Sequence, residues 1–159
     1  MTAPAPRTTT SPDRPVTAGD AALVDAVAAE HGVIYGYGLV SAHSTFEVNP
    51  LVATAMDEHR ARREEAIQML EARSVTPPLP AAGYQVPAPV TNPTDAANLA
   101  IRMEEDTATA WRAVLEQADN AEDRTFAVTA LTRAAVTAAE WRGVVEAAPV
   151  TVAFPGGTE

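Results

Sequence analysis

Apolar residues recur every three or four positions along four stretches of this chain, the spacing of helices that bury one side. We predict helices over about 17–43, 50–73, 94–118 and 122–147. The first stretch has a regular seam made of Leu23, Val27, Glu30, Ile34, Tyr37 and Ser41. The third has the same 4, 3, 4, 3, 4 spacing in Ala97, Ile101, Glu104, Ala108, Trp111 and Leu115. The pattern therefore predicts an all-α fold.

The other two stretches have less regular stripes. The second carries Val52, Met56, His59, Arg63, Ala66 and Leu70. The fourth offers two candidate core faces, one with Val128 and Leu131 and the other with Arg133 and Glu140. The pattern does not decide which of these two faces packs against the core.

A proline-rich segment at 74–93 separates the two pairs of helices and contains six of the 13 prolines. Because proline lacks the backbone N–H and clashes with the preceding turn, no helix crosses this segment. Only short loops join the helices within each pair, so we expect each pair to be antiparallel. Two helical hairpins joined by one long crossover form the ferritin-like arrangement. We thus predict a bundle over 17–148, a disordered tail over 1–16 and a flexible tail over 149–159.

Charge and composition narrow the classes of function. The chain has 159 residues, with 21 acidic residues, 11 Arg, no Lys, and a net charge of −10. This acidic balance argues against nucleic acid and against an anionic membrane surface, since both require clustered basic charge. Cysteine is absent, so there is no thiolate metal site and no cysteine nucleophile. No apolar run is long enough for a membrane span or a secretory signal, so we expect a cytoplasmic protein.

Two acidic residues lie inside the predicted seams, Glu30 in the first helix and Glu104 in the third. A buried carboxylate needs a charged or hydrogen-bonding partner. Counting axial levels at about 1.5 Å per residue places Arg63 opposite Glu30, and Arg133 within a turn of Glu104. We therefore predict a core polar network, either structural or a degenerate metal site, made of Glu30, His59, Arg63, Glu104 and Arg133. His31 is turned about 100° from Glu30, which predicts that it faces solvent or a partner chain.

A di-iron or di-manganese carboxylate protein is the first alternative. Ferritin-like metal sites use one Glu from each of two helices and Glu-x-x-His from the other two. That pattern fails here, because Ala61 stands three residues after Glu58, and Gly143 stands three after Glu140. The available ligands would be Glu30, Glu58, His59, Glu104, Glu105 and Glu140.

A carrier of a small ligand is the second alternative. Its pocket would be lined by Tyr35, Tyr37, Met56 and Trp111. The sequence has no Gly-rich phosphate loop, no Gly-x-Ser-x-Gly and no paired-His helix motif, so we assign no catalytic residue and favour a protein that is not an enzyme.

Three stretches together resemble a family of ferritin-like domains of unknown function from high-GC Gram-positive bacteria. They are Ala29–Gly38 (AEHGVIYGYG), Glu58–Glu64 (EHRARRE), and Glu104-Glu105 with Trp111-Arg112. The resemblance implies a ferritin-like four-helix bundle, often paired as a dimer, and brings no established reaction. With Ala-lined faces on the first and fourth helices, we expect a homodimeric binding or assembly module without a cofactor.

Overall fold

A computed structural model describes residues 13–157 and contains four long helices. They are α1 (Ala18–His43), α2 (Asn49–Ala72), α3 (Pro93–Gln117) and α4 (Ala121–Val144), with a 3₁₀ turn at Phe46–Val48 before α2. No strand occurs in the described residues, which confirms the all-α prediction. The helices begin and end close to the predicted bounds, although α4 ends at Val144 rather than near 147. Most of the predicted N-terminal tail, residues 1–12, lies outside the described residues.

Side chains at the N-termini explain where three helices begin. Thr17 Oγ1 accepts a hydrogen bond from the Asp20 N–H at 3.3 Å. Asn92 Oδ1 and Asn120 Oδ1 do the same for the amides three residues later, at 2.9 and 2.8 Å. These contacts satisfy amides that have no partner inside the helix. The sequence placed the start of α3 at Thr94, but Asn92 caps the helix and Pro93 is its first residue.

The apolar core falls into two clusters. The first cluster comprises Val33, Tyr37, Val40, Val52, Ala55, Ala96, Ala97, Leu99, Ala100, Met103 and Trp141. The second comprises Ala22, Leu23, Ala26, Val27, Ala66, Leu70, Trp111, Val114, Ala127 and Ala130. In α1, α2 and α3, buried polar residues stand in the chain between the members of the two clusters. The core is therefore layered as apolar, polar and apolar.

Alanine forms most of the buried face of α4. Its buried side chains are Ala127, Ala130, Ala134, Thr137, Ala138 and Trp141, together with Asp123 and Arg142 near the ends. Neither predicted face enters the core, since Val128 is 44% exposed and Glu140 is exposed. Small side chains let the backbones of neighbouring helices approach closely. A search of the sequence for large apolar residues does not detect a buried face made of alanine.

The crossover between α2 and α3 contacts the helices at several points along its length. Val75 contacts the second cluster, whereas Val86 and Val90 contact the first. Between them, the carbonyl oxygen of Pro78 lies 3.1 Å from His31 Nε2. The segment thus runs from one apolar layer to the other, as a stiff proline-rich chain can.

The segment after α4 folds back on the bundle. Arg142 Nη1 donates a hydrogen bond to the Val150 carbonyl at 3.1 Å. Gly156 has φ +73°, and a Cβ there would lie 2.5 Å from the Ala108 carbonyl oxygen, so this close approach requires glycine. The sequence predicted a flexible tail from 149, whereas the described part of it contacts α3 and α4. Within residues 13–157, no helix has both the length and the apolar content needed to cross a membrane.

Candidate functional site

Four charged side chains meet in the polar layer between the two apolar clusters. α1 supplies Glu30, α2 supplies His59 and Arg62, and α3 supplies Glu104. Their exposed fractions are 0, 1, 8 and 1%, respectively. Charged groups are rarely buried so completely unless they are paired with one another.

His59 joins the two carboxylates. Its Nδ1 lies 2.6 Å from Glu30 Oε2, and its Nε2 lies 3.0 Å from Glu104 Oε1. Because both ring nitrogens face carboxylate oxygens, both must donate, and only the imidazolium has two N–H groups. Burial lowers the pKa of His59, but the hydrogen bonds to Glu104 and Glu30 and their charges outweigh it and raise the pKa to about 9. The ring is therefore a cation at neutral pH.

Glu30 accepts hydrogen bonds from three side chains. Besides His59, Trp111 Nε1 donates to Oε1 at 2.7 Å, and Arg62 Nη1 donates to the same oxygen at 3.1 Å. Burial favours the neutral acid, but the hydrogen bond with His59 and the charges of His59 and Arg62 prevail, and the pKa of Glu30 lies below its usual value. Glu30 is thus an ionised and fully buried carboxylate. Arg62 Nη1 also lies 3.4 Å from His59 Nδ1, a close approach of two donors that share this carboxylate.

The Glu104 carboxylate accepts fewer hydrogen bonds than the Glu30 carboxylate. Its Oε1 accepts from His59 and also from the Tyr37 hydroxyl at 2.5 Å. Trp141 Nε1 in turn donates to the Tyr37 oxygen at 3.0 Å, which brings α4 into the network. Burial and the charge of Glu104 hold the pKa of Tyr37 above its usual value, so Tyr37 acts as a neutral donor. Glu104 Oε2 is buried and has no hydrogen-bond partner among the described residues.

The network is electrically balanced. Two carboxylates, Glu30 and Glu104, meet two cations, His59 and Arg62. A divalent cation is attracted to a site with excess negative charge, and this site has none. Chemically, the arrangement holds the two N–H protons of the His59 ring against carboxylates from two other helices, in a layer buried from solvent.

Three of the five residues of the predicted network meet in this layer, namely Glu30, His59 and Glu104. Arg63 does not, because its guanidinium pairs with the neighbouring Glu64 at 2.5 Å, and Arg62 takes the place predicted for it. Adjacent helical residues are about 100° apart, so an error of one residue in the level turns the side chain out of the core. On the same count His59 lies about one turn from the level of Glu30, and the reach of the two side chains closes that distance.

Arg133 pairs with Glu58 instead of with a buried carboxylate of the network. Its Nη2 lies 2.6 Å from Glu58 Oε1, and the two side chains are 42 and 30% exposed. Glu105 pairs with Arg142, and Glu140 is exposed. Of the six ligands of the predicted metal alternative, Glu30, His59 and Glu104 therefore meet, whereas Glu58, Glu105 and Glu140 do not join them. Residues 13–157 hold no group of three or more His, Asp or Glu side chains arranged for a metal ion.

The residues predicted to line a ligand pocket are also separated. Tyr37 and Trp111 are fully buried in the network, and Met56 packs against the first cluster. Tyr35 is 46% exposed and borders a cleft between α1, α3 and the crossover. His31 was predicted to face solvent or a partner, but the crossover covers it and leaves it 8% exposed.

Sequence reasoning missed two members of the network, Arg62 and Trp141. Arg62 stands at the i+3 position of His59, on the same side of α2, and that spacing was the available signal. Trp141 follows an alanine-rich stretch without an apolar stripe, so only its size pointed to the core.

Comparisons with known proteins identify relatives but no activity. The family model described as a domain of unknown function (DUF4439) matches residues 22–159. A crystal structure of the conserved hypothetical protein rv2844 from Mycobacterium tuberculosis is 59% identical. The match covers 80% of this chain and 96% of that one, with a TM-score of 0.79. No curated protein matches the chain.

Proposed function

Because this chain belongs to the DUF4439 family, a domain of unknown function, its role has to come from its own residues, and we propose that it is a non-catalytic, ferritin-like binding or assembly module. In this proposal the balanced polar network stands where ferritin-like proteins hold two metal ions. The observation that carries it is the position of His59, which has a carboxylate at each nitrogen.

Contacts at one end of the molecule support an antiparallel, ferritin-like bundle. Asp20, near the start of α1, pairs with Arg73, which follows α2. Arg73 also pairs with Asp123 at the start of α4. A Cβ on Gly19 would lie 3.2 Å from the carbonyl oxygen of Gln117, the last residue of α3. The starts of α1 and α4 therefore lie beside the ends of α2 and α3.

The donor set does not fit a di-metal centre. A metal-binding histidine must offer a nitrogen lone pair, but both nitrogens of His59 donate to carboxylates. Arg62 brings a permanent cation to Glu30, and α4 contributes Trp141 to this layer rather than a carboxylate. The unpartnered Glu104 Oε2 is the one feature that favours the iron or manganese alternative.

Metal content tests the proposal. The protein is purified without a His tag after growth with added iron and manganese, and its metals are measured by plasma mass spectrometry. We expect well below one metal ion per chain. About two per chain, lost in Glu30→Ala/Glu104→Ala but kept in the control Glu64→Ala/Glu116→Ala, would overturn it. The control removes two exposed carboxylates outside the network, Glu64 on α2 and Glu116 on α3.

A homodimer is the second part of the proposal. The outer side of α4 exposes Val128 (44%) and Val136 (42%) beside a half-buried Leu131. Burying this side against a second copy would remove apolar surface from water. Sedimentation at micromolar concentration should give twice the chain mass of 16.6 kDa. Val128→Arg/Val136→Arg should halve the measured mass, whereas Ala53→Arg/Ala61→Arg, at exposed positions of α2, should not. A wild-type monomer would contradict this part alone.

A further inference from the structure

A cleft of about 640 Å³ opens between α1, α3 and the crossover, on the side of α1 that carries Gly32 and Gly36. Its volume is within the range of small-molecule sites. The missing side chain at Gly32 leaves part of this space free, and the Met103 side chain fills the gap beside Gly36. The cleft contains no residue of the polar network, so its role does not depend on whether the network binds a metal ion.

Two tyrosines form the aromatic wall of the cleft. The rings of Tyr35, on α1, and Tyr84, on the crossover, have centroids 5.3 Å apart and are tilted by 45°. Tyr84 also lies over Gly32, where a Cβ would be in ordinary contact with the ring at 3.5 Å. Leu99 and Met103 of α3 supply apolar surface opposite. An aromatic ring entering the cleft would thus meet two other rings and an apolar floor.

Arg102 and Asp106 supply opposite charges to the same cleft. They are one turn apart on α3, where such a pair commonly forms a salt bridge. Here neither side chain makes an ion pair within 4 Å or a hydrogen bond with any other described residue. Partial burial raises the pKa of Asp106, against the lowering effect of Arg102. Two opposite charges, both unpaired and one helical turn apart, match a ligand that carries both.

We infer that this cleft binds an aromatic zwitterion of the amino-acid type. The ligand carboxylate pairs with Arg102, its ammonium pairs with Asp106, and its ring lies against Tyr35 and Tyr84. A molecule with a single charge would leave one of the two protein charges unpaired. The site therefore selects the zwitterion over an aromatic amine or an aromatic acid of the same size.

Three probes that share an indole ring separate these contributions. They are tryptophan, tryptamine, which lacks the carboxylate, and indole-3-propionate, which lacks the ammonium. Affinities are measured by isothermal titration calorimetry on the full chain. Because an exposed ion pair contributes up to about 1 kcal/mol, tryptophan should bind up to about fivefold more tightly than either analogue. Equal affinity for all three, tighter binding of an analogue, or no binding of any would overturn the inference.

Variants assign the contacts to residues. Gly32→Leu should fill the cleft and abolish binding, whereas Gly38→Leu is the matched control, since a Cβ at Gly38 meets nothing within 4 Å. Arg102→Gln should remove the preference for tryptophan over tryptamine, and Asp106→Asn the preference over indole-3-propionate. These two exposed positions keep the test decisive if Gly32→Leu fails to fold. Unchanged preferences in both charge variants would also overturn the inference.

Discussion

Tyr37 on α1 and Trp141 on α4 are 104 residues apart in the chain, and the Trp141 indole donates a hydrogen bond to the Tyr37 hydroxyl at 3.0 Å. The same hydroxyl donates to Glu104. This pair therefore extends the buried network to the fourth helix through neutral groups. At the other carboxylate, the Trp111 indole N–H donates a hydrogen bond directly to Glu30.

The two tryptophans give a matched comparison. Trp111→Phe and Trp141→Phe remove the same atoms from fully buried sites, but the first deprives a carboxylate of a donor and the second a neutral hydroxyl. Hydrogen bonds to charged groups contribute about 1 kcal/mol more than neutral ones. We expect Trp111→Phe to reduce the free energy of unfolding by about 1 kcal/mol more, measured by urea denaturation. An equal loss in both variants would mean that the bond to the Glu30 carboxylate contributes no more than the bond to the neutral Tyr37 hydroxyl.

Stability should depend on pH through His59. Its pKa is raised from 6.5 to about 9 on folding, so its contribution is complete below pH 6.5 and is lost as pH rises through 9. The full shift corresponds to about 3 kcal/mol. Urea denaturation should thus give a lower free energy of unfolding at pH 9.5 than at pH 6.5. His59→Gln should flatten most of this decline, and a decline of the same size in that variant would assign it to other groups.

Arg62 and Arg63 should differ sharply despite being neighbours. Arg62→Met leaves Glu30 with one cation fewer in a dry layer, and breaking a buried pair costs about 3 kcal/mol. Arg63→Met removes only a pair with Glu64, which is 57% exposed, so its effect should be within about 0.5 kcal/mol. Thermal and urea unfolding of both variants measures the difference. Similar values would mean that the pair of Arg62 with Glu30 adds no more stability than the pair of Arg63 with Glu64. A larger loss for Arg63→Met would place Arg63 at the buried carboxylate.

A side chain should be less well tolerated at Gly36 than at Gly38. A Cβ at Gly36 would lie 2.1 Å from Met103 Sδ, and one at Gly38 meets nothing within 4 Å. We expect Gly36→Ala to destabilise the protein by about 1–3 kcal/mol through overpacking. Gly38→Ala should stabilise it by up to about 1 kcal/mol through helix propensity. In the Met103→Ala background, Gly36→Ala should no longer be destabilising, and a persistent loss there would contradict this explanation.

The sequence predicted helices well and contacts between helices poorly. Glu30 and Glu104 stand out because a carboxylate interrupts a regular apolar seam, and that signal is local. Arg62 and Arg63 differ by about 100° around the axis of α2. A count of levels along the axis does not resolve that difference. The partner of His31 lies on the crossover, 47 residues away, and no local pattern encodes it. The alanine face of α4 was missed because periodicity analysis weighs size, while close helix packing favours small residues.

The division of charge in the polar layer bears on how the chain assembles. The first pair of helices, α1 with α2, brings Glu30, His59 and Arg62, and so carries one excess positive charge in its buried face. The second, α3 with α4, brings Glu104 and carries one excess negative charge. Either half alone would bury an unbalanced charge, and only their union cancels it. Docking of the two pairs of helices therefore depends on charge as well as on shape. Docking in the wrong register would leave a buried charged side chain without an oppositely charged partner.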